Sequence, residues 1–74
     1  MHIIDLDDSI LSIITIHPEA KDILFDIGFK DIIKPGMLQT VGRIMTLRKG
    51  SIMKSIDLDI IIKAFKDKGY TIKE

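Results

Sequence analysis

Apolar residues recur three and four positions apart along most of this chain, and glycine or proline interrupts the pattern at short intervals. This spacing places apolar side chains on one face of a helix, so it predicts several short amphipathic helices. The chain has 74 residues, which is enough for one domain and too few for two. With 46% apolar and 30% charged residues, it is not composed like a disordered segment. We therefore predict one helical domain spanning residues 1–74.

Two helices are predicted in the first half of the chain. The first covers residues 10–16, after an Asp-Asp-Ser sequence at positions 7–9 in which any residue can cap it, although its isoleucines leave a strand as an alternative. The second begins near Pro18, which suits a first helical turn, and carries apolar residues at helical spacing. Gly28 follows it, as expected where a helix ends with positive φ. Residues 30–36 are predicted as a connector.

Two further helices are predicted in the second half. One covers residues 37–45, where Gly42 weakens the helix and indicates a point of close packing. The other is capped by Asp57 and closed by Gly69. Between these two helices, residues 46–55 are predicted as a loop that ends in a single helical turn.

Both ends of the chain favour extended structure. Ile3 and Ile4 near one end, and Tyr70, Thr71 and Ile72 near the other, are β-favouring residues that can pair as a two-stranded clasp. Such a pair is weak alone and needs helices packed against it. The predicted fold class is all-α: a compact bundle of about four short helices, to which a short N- and C-terminal strand pair can be added.

Several motifs along the chain resemble one known family. They are Ile3-Ile4-Asp5-Leu6, His17-Pro18-Glu19, the helix end LFDIGF at residues 24–29, Pro35-Gly36-Met37-Leu38, the run TVGRIMT at residues 40–46, and Ile56-Asp57-Leu58-Asp59. Together they cover nearly the whole chain and resemble the bacterial and archaeal "domain of unknown function 1858" family. The stretch at residues 35–38 and the run at residues 40–46 resemble in particular the branch found at the start of larger proteins with hemerythrin-like and sensory domains.

This resemblance implies a compact, mostly helical fold and implies no activity. Another branch of the family carries paired cysteines and looks like a redox or cluster-associated module. The present sequence contains no cysteine. Redox chemistry is therefore not carried over to any position of this chain.

The sequence offers few groups for catalysis or metal binding. The absence of cysteine excludes thiolate zinc sites, iron–sulfur ligation and a cysteine nucleophile. The two histidines, His2 and His17, are not spaced as ligands on one helix face, and the acids near His2 fit a helix cap better than a cation loop. The glycines form no phosphate-binding motif, and no nucleophile motif surrounds a serine. We therefore predict no enzymatic activity, no cofactor and no metal site.

Charge is distributed unevenly along the chain. Residues 1–31 carry seven acids and two bases, whereas residues 32–56 carry five bases and no acid. A basic segment of this kind can bind a phosphate backbone, pair with the acidic segment of its own chain, or steer a protein partner. The same segment contains Met37, Met45 and Met53, which can either pack in the core or line an adaptable binding groove. Core packing is favoured for Met45, and both alternatives stay open for the other two.

These features predict a non-catalytic interaction or structural module that docks an unknown partner protein or associates with itself. We expect its interaction surface at the turns of residues 34–37 and 47–54. This expectation fails if Met37, Leu47 and Met53 are all buried. The candidate interaction residues are Lys34, Met37, Arg43, Arg48, Lys49, Met53 and Lys54. The alternative is weak nucleic-acid binding by the five bases of this set, which requires them to share one face.

The sequence also predicts where the protein is found. No apolar run approaches the length of a membrane span, so no membrane partner is expected. Acidic residues at positions 5, 7 and 8 stand where a signal peptide would carry basic ones. A cytoplasmic location is therefore expected.

Overall fold

Helices make up most of the fold, and a two-stranded parallel sheet joins the two ends of the chain. The computed structural model describes residues 2–34 and 36–73. In chain order the elements are β1 (Ile3–Asp5), α1 (Ile10–Ile16), α2 (Ala20–Ile27), a 3₁₀ helix (Lys30–Ile33), α3 (Met37–Ile44), α4 (Leu47–Met53), α5 (Leu58–Asp67) and β2 (Thr71–Lys73). The mostly helical class is confirmed, but the described residues form five α-helices rather than about four.

Side-chain caps and glycines set the helix ends much as the sequence indicates. The Ser9 hydroxyl accepts a hydrogen bond from the backbone N–H of Ser12 at 3.1 Å, which starts α1 as a helix and not a strand. The Asp57 carboxylate accepts one from the N–H of Asp59 at 3.1 Å at the start of α5. Gly28 ends α2 with a φ of +123°, a value that other residues rarely adopt.

The predicted loop at residues 46–50 is wrong, because these residues belong mainly to helix α4. The Thr46 hydroxyl caps this helix by accepting a hydrogen bond from the Lys49 N–H at 3.0 Å. Leu47 is completely buried and anchors its first turn in the core. The connector at residues 30–36 likewise contains a 3₁₀ helix, and Pro35, its predicted end, lies outside the described residues.

The terminal strand pair is confirmed, and its two strands run parallel. Ile4 lies opposite Ile72, with the neighbouring residues paired in register on both sides. The Thr71 N–H donates to the His2 carbonyl at 2.8 Å, so pairing continues beyond β1. Side chains alternate across the strand: Ile4 is buried in the core, whereas Ile3 is 44% exposed.

One hydrophobic core lies between the sheet and the helices. Its largest fully buried side chains are Phe29, Phe65, Ile4, Leu6, Ile10, Leu24, Leu47 and Ile61. Helix α1 packs against α3 at Gly42, where an added Cβ would lie 2.9 Å from the Leu38 Cδ1 and 3.5 Å from the Leu11 N. The close packing predicted at Gly42 is thus confirmed. Over residues 2–34 and 36–73 the longest helix, α5, has 10 residues, and none is long and apolar enough to cross a membrane.

Candidate functional site

Both methionines among the predicted surface residues line a small apolar cavity between α3 and α4. Met37, at the start of α3, is half-buried, and Met53, at the end of α4, is 69% exposed. Val41 and Met45 line the same cavity, which has a volume of about 130 Å³. Met45 is buried, as favoured from the sequence. We call these four residues the methionine groove.

Three of the five predicted bases contact aspartates of the acidic first segment. Lys54 Nζ lies 2.9 Å from Asp31 Oδ2, and Lys34 Nζ lies 3.5 Å from Asp31 Oδ1, at the rim of the methionine groove. Arg48 Nε lies 2.9 Å from Asp7 Oδ1. The hydrogen bond and charge of Lys54, followed by the charge of Lys34, lower the pKa of Asp31. Pairing within the chain, one of the alternatives left open by the sequence, accounts for these contacts.

The two remaining predicted residues, Arg43 and Lys49, do not line the methionine groove. Arg43 is exposed near the end of α3 and borders a shallow depression beside Leu11 and Thr15 of α1. Lys49 is exposed on α4. The structure therefore brings Met37, Met53 and Lys54 to one cavity, and Lys34 contacts Asp31 at its edge. Arg43 borders a different depression, and Arg48 contacts Asp7.

A second candidate site lies where the ends of the chain meet the corner between α1 and α2. One potential ligand atom from each of His2, His17 and Glu19 lies within 4.8 Å of the others. The His2 and His17 ring centroids are 5.6 Å apart, and each ring meets the Tyr70 ring edge to face at 5.5 and 5.3 Å. We call these four residues the histidine cluster. Three of its members, His2, Glu19 and Tyr70, border an open pocket of about 470 Å³.

Backbone hydrogen bonds hold the members of this cluster in place. His2 is fixed by the bond from Thr71 at the end of the parallel pair. His17 ends α1, with its N–H donating to the Ile13 carbonyl at 2.8 Å, and its own carbonyl accepts from the Ala20 N–H at 2.9 Å. His17 is also buried, whereas His2 and Glu19 are exposed.

A hydrogen bond from the Tyr70 hydroxyl to Glu19 Oε1 sets the electrostatics of the cluster. It is the main cause of a lowered pKa of Glu19, aided by a backbone hydrogen bond and by the charges of His17 and His2. Burial, followed by the bond to Glu19 and its charge, raises the pKa of Tyr70 to about 12. At neutral pH the cluster therefore presents an anionic carboxylate, oriented by a neutral phenol, beside two imidazoles. This arrangement can bind a cation.

Reasoning from the sequence missed the histidine cluster because it tested His2 and His17 only for spacing along one helix. One signal was present: the predicted pairing of the two ends brings His2 beside Tyr70. The positions of His17 and Glu19 depend on how α1 and α2 meet, and local sequence does not determine that corner.

The fold and the cluster define a small helical domain whose paired ends lie beside an imidazole–carboxylate group. Residues 4–62 match the family described as "Domain of unknown function (DUF1858)", and the chain belongs to that family. This confirms the family resemblance found in the sequence. His17 and Glu19 lie inside the matched segment, and His2 and Tyr70 lie outside it.

A solved structure shares this fold over nearly the whole chain. It is described as "The crystal structure of the conserved domain protein from Streptococcus pneumoniae TIGR4", and it is 33% identical to this chain with a TM-score of 0.94. The alignment covers 99% of this chain and 92% of that one. No curated protein sequence matches this chain significantly.

Proposed function

We propose that this domain is a non-catalytic, cytoplasmic interaction module that docks a partner protein through the methionine groove. The observation that carries this proposal is the 69% exposure of Met53, which lines an apolar cavity at the end of α4, together with the 78% exposure of its neighbour in sequence, Ile52. Large apolar side chains that are exposed together beside a cavity are typical of binding surfaces.

The size of the groove favours a protein side chain over a metabolite. Small-molecule pockets have volumes of about 300–1,000 Å³, and the groove has about 130 Å³. That volume suits one apolar side chain of a partner. Phe29 and Met45 form a buried floor, while Met37 and Met53 can change rotamer around an inserted group.

The charge around the groove indicates the chemistry of the partner. Residues 32–56 carry five bases and no acid; Lys34 and Lys49 are exposed, although Lys34 also contacts Asp31. The partner we propose therefore presents one apolar anchor residue flanked by acidic side chains, which the basic segment would attract and orient.

A selection from random peptides displayed on phage tests this proposal. We expect the enriched peptides to share one apolar anchor with neighbouring acids, and Met53→Glu to weaken their binding by about tenfold or more, since it places a charge at the mouth of the groove. Ile60→Glu is the matched control, because Ile60 is 54% exposed on α5 and does not line the groove. Absence of a shared anchor, or equal binding to the Met53 variant, would refute docking at this groove.

Nucleic-acid binding by Lys34, Arg43, Arg48, Lys49 and Lys54 is the alternative proposal. The aspartate contacts of three of these bases reduce the positive charge available to a phosphate backbone, so this alternative has less support. An amide chemical-shift titration with mixed oligonucleotides separates the two. Shifts that are confined to residues 43–54 and fade steeply with salt would favour nucleic acid, and sedimentation in the same buffer would detect self-association.

A further inference from the structure

We propose that His2, His17 and Glu19 bind one divalent transition-metal ion of the zinc class. The site is separate from the methionine groove, and metal binding does not depend on the docking function proposed above. Such an ion would link the segment before β1 to the corner between α1 and α2.

The donor set fits a metal of this class. Two imidazoles and one carboxylate are a common three-residue ligand set for zinc, with a further position left for water. The potential ligand atoms of the three residues lie within 4.8 Å of one another. A zinc ion with bonds of about 2.0–2.1 Å holds its ligand atoms about 3.3 Å apart. The exposed side chains of His2 and Glu19 would therefore close by about 1.5 Å at most towards the buried His17.

A hydrogen bond from a residue outside the ligand set orients the Glu19 carboxylate for metal binding. The Tyr70 hydroxyl donates to Glu19 Oε1, which fixes the orientation of the carboxylate and leaves its second oxygen for a cation. Asp22 and Asp26 line the same pocket and add negative charge, whereas Lys68 opposes them. The pocket is open, so an ion can enter without a change in the fold.

Binding can be measured on protein made without a histidine tag. Tyr70 is the only tyrosine and the chain has no tryptophan, so Tyr70 fluorescence reports on the cluster directly. We expect Co²⁺ to quench this fluorescence at one ion per chain, and calorimetry with Zn²⁺ to give the same stoichiometry. We also expect the melting temperature to rise by roughly 10–20 °C when free zinc reaches about one hundred times its dissociation constant.

Substitution of the exposed ligands His2 and Glu19 distinguishes a specific zinc site from nonspecific zinc binding. His2→Gln and Glu19→Gln should each weaken zinc affinity by about tenfold or more, because each removes a ligand. Asp26→Asn removes one negative charge from the same pocket without removing a ligand, and it should change the affinity by less than about threefold. Because His17 is buried and its replacement can unfold the chain, the test relies on the two exposed ligands, with folding checked by circular dichroism.

The role of the phenol has its own test. Tyr70→Phe keeps the ring that packs against both imidazoles and removes the hydroxyl that orients Glu19, so zinc affinity should fall by about 10–100-fold in calorimetry. The proposal is overturned if the folded wild-type chain takes up no zinc. It is also overturned if His2→Gln and Glu19→Gln bind zinc as tightly as Asp26→Asn does.

Discussion

Tyr70 connects the hydrophobic core to the histidine cluster. Its ring meets that of buried Phe65 edge to face at 5.5 Å, and its hydroxyl reaches outward to Glu19. A tyrosine suits this position because its ring is apolar while its hydroxyl needs a hydrogen-bond partner when buried. Burial disfavours the phenolate, and the negative charge of Glu19 disfavours it further.

We therefore predict that Tyr70 loses its proton at a higher pH than a free tyrosine does. The pKa of Tyr70 is raised from 10.0 to about 12, so the neutral phenol is favoured in the folded chain. The resulting stabilisation is fully present below pH 10 and is lost as the pH rises from 10 towards 12 and beyond. Near-ultraviolet absorbance of the phenolate, recorded with far-ultraviolet circular dichroism, measures this transition.

Glu19→Gln provides the control for the Tyr70 titration. It removes the charge on the hydrogen-bond partner and leaves the ring buried, so the midpoint should fall and stay above 10.0. A wild-type chain that forms phenolate near pH 10 while still folded would contradict the prediction.

At the scale of elements, helix α4 shows how packing can outweigh local preference. Gly50 lies inside this helix, where glycine is unfavourable by about 0.5–1 kcal/mol relative to alanine. The Phe29 ring accounts for the glycine: a Cβ at position 50 would lie 2.8 Å from its Cζ and closer still to its Cε1. Phe29 is only 1% exposed, so an added Cβ would push its rigid ring out of its present packing in the core.

We therefore predict that Gly50→Ala changes the stability of the fold in the opposite direction from that expected from helix propensity. Propensity alone predicts stabilisation, whereas the contact with Phe29 predicts destabilisation by about 1–3 kcal/mol. Urea unfolding followed by circular dichroism measures the sign. In a Phe29→Leu background, which provides space, the penalty should shrink. A stabilised Gly50→Ala protein would show that the packing argument is wrong.

At the scale of the whole molecule, the β1–β2 pair closes the chain into one unit. A two-stranded pair is marginal in water, so this one depends on packing against the helices. Ile4 provides that packing, since it is buried with the core residues of α1, α2 and α5 in one cluster. The pair in turn places His2 and Tyr70 beside the α1–α2 corner.

Separate substitutions at positions 3 and 4 measure how much the stability of the fold depends on the packing of β1 against the helices. Ile4→Ala should destabilise the fold by about 2–5 kcal/mol, because it opens a cavity in the core. For a chain of this length, that is a large part of a total stability of about 4–11 kcal/mol. Ile3→Ala removes the same atoms from the neighbouring, 44% exposed position and should cost about 0.5 kcal/mol. Similar losses for both variants in urea unfolding would mean that the strand does not pack as described.

Local sequence determined most of the elements. Ser9 and Asp57 start α1 and α5 through their own side chains, and Gly28 ends α2, so these boundaries depend on residues within one helical turn. The apolar spacing determined the helical class, and the β-favouring residues at both ends determined the strand pair. Helix α4 was missed because the reason for Gly50 lies in Phe29, a residue of another segment.

The candidate sites divide in the same way. The methionines and bases at residues 34–54 stand out in the sequence because they are concentrated in one stretch, although which bases meet aspartates could not be predicted from it. In the histidine cluster, only the proximity of His2 to Tyr70 followed from the predicted strand pair, and the tertiary structure decided the rest. His2, His17 and Tyr70 come from separate parts of the chain, and each has an ordinary local role at a strand or helix end. The short distances among the possible ligands His2, His17 and Glu19 exist only once the ends have paired and α1 has packed against the core.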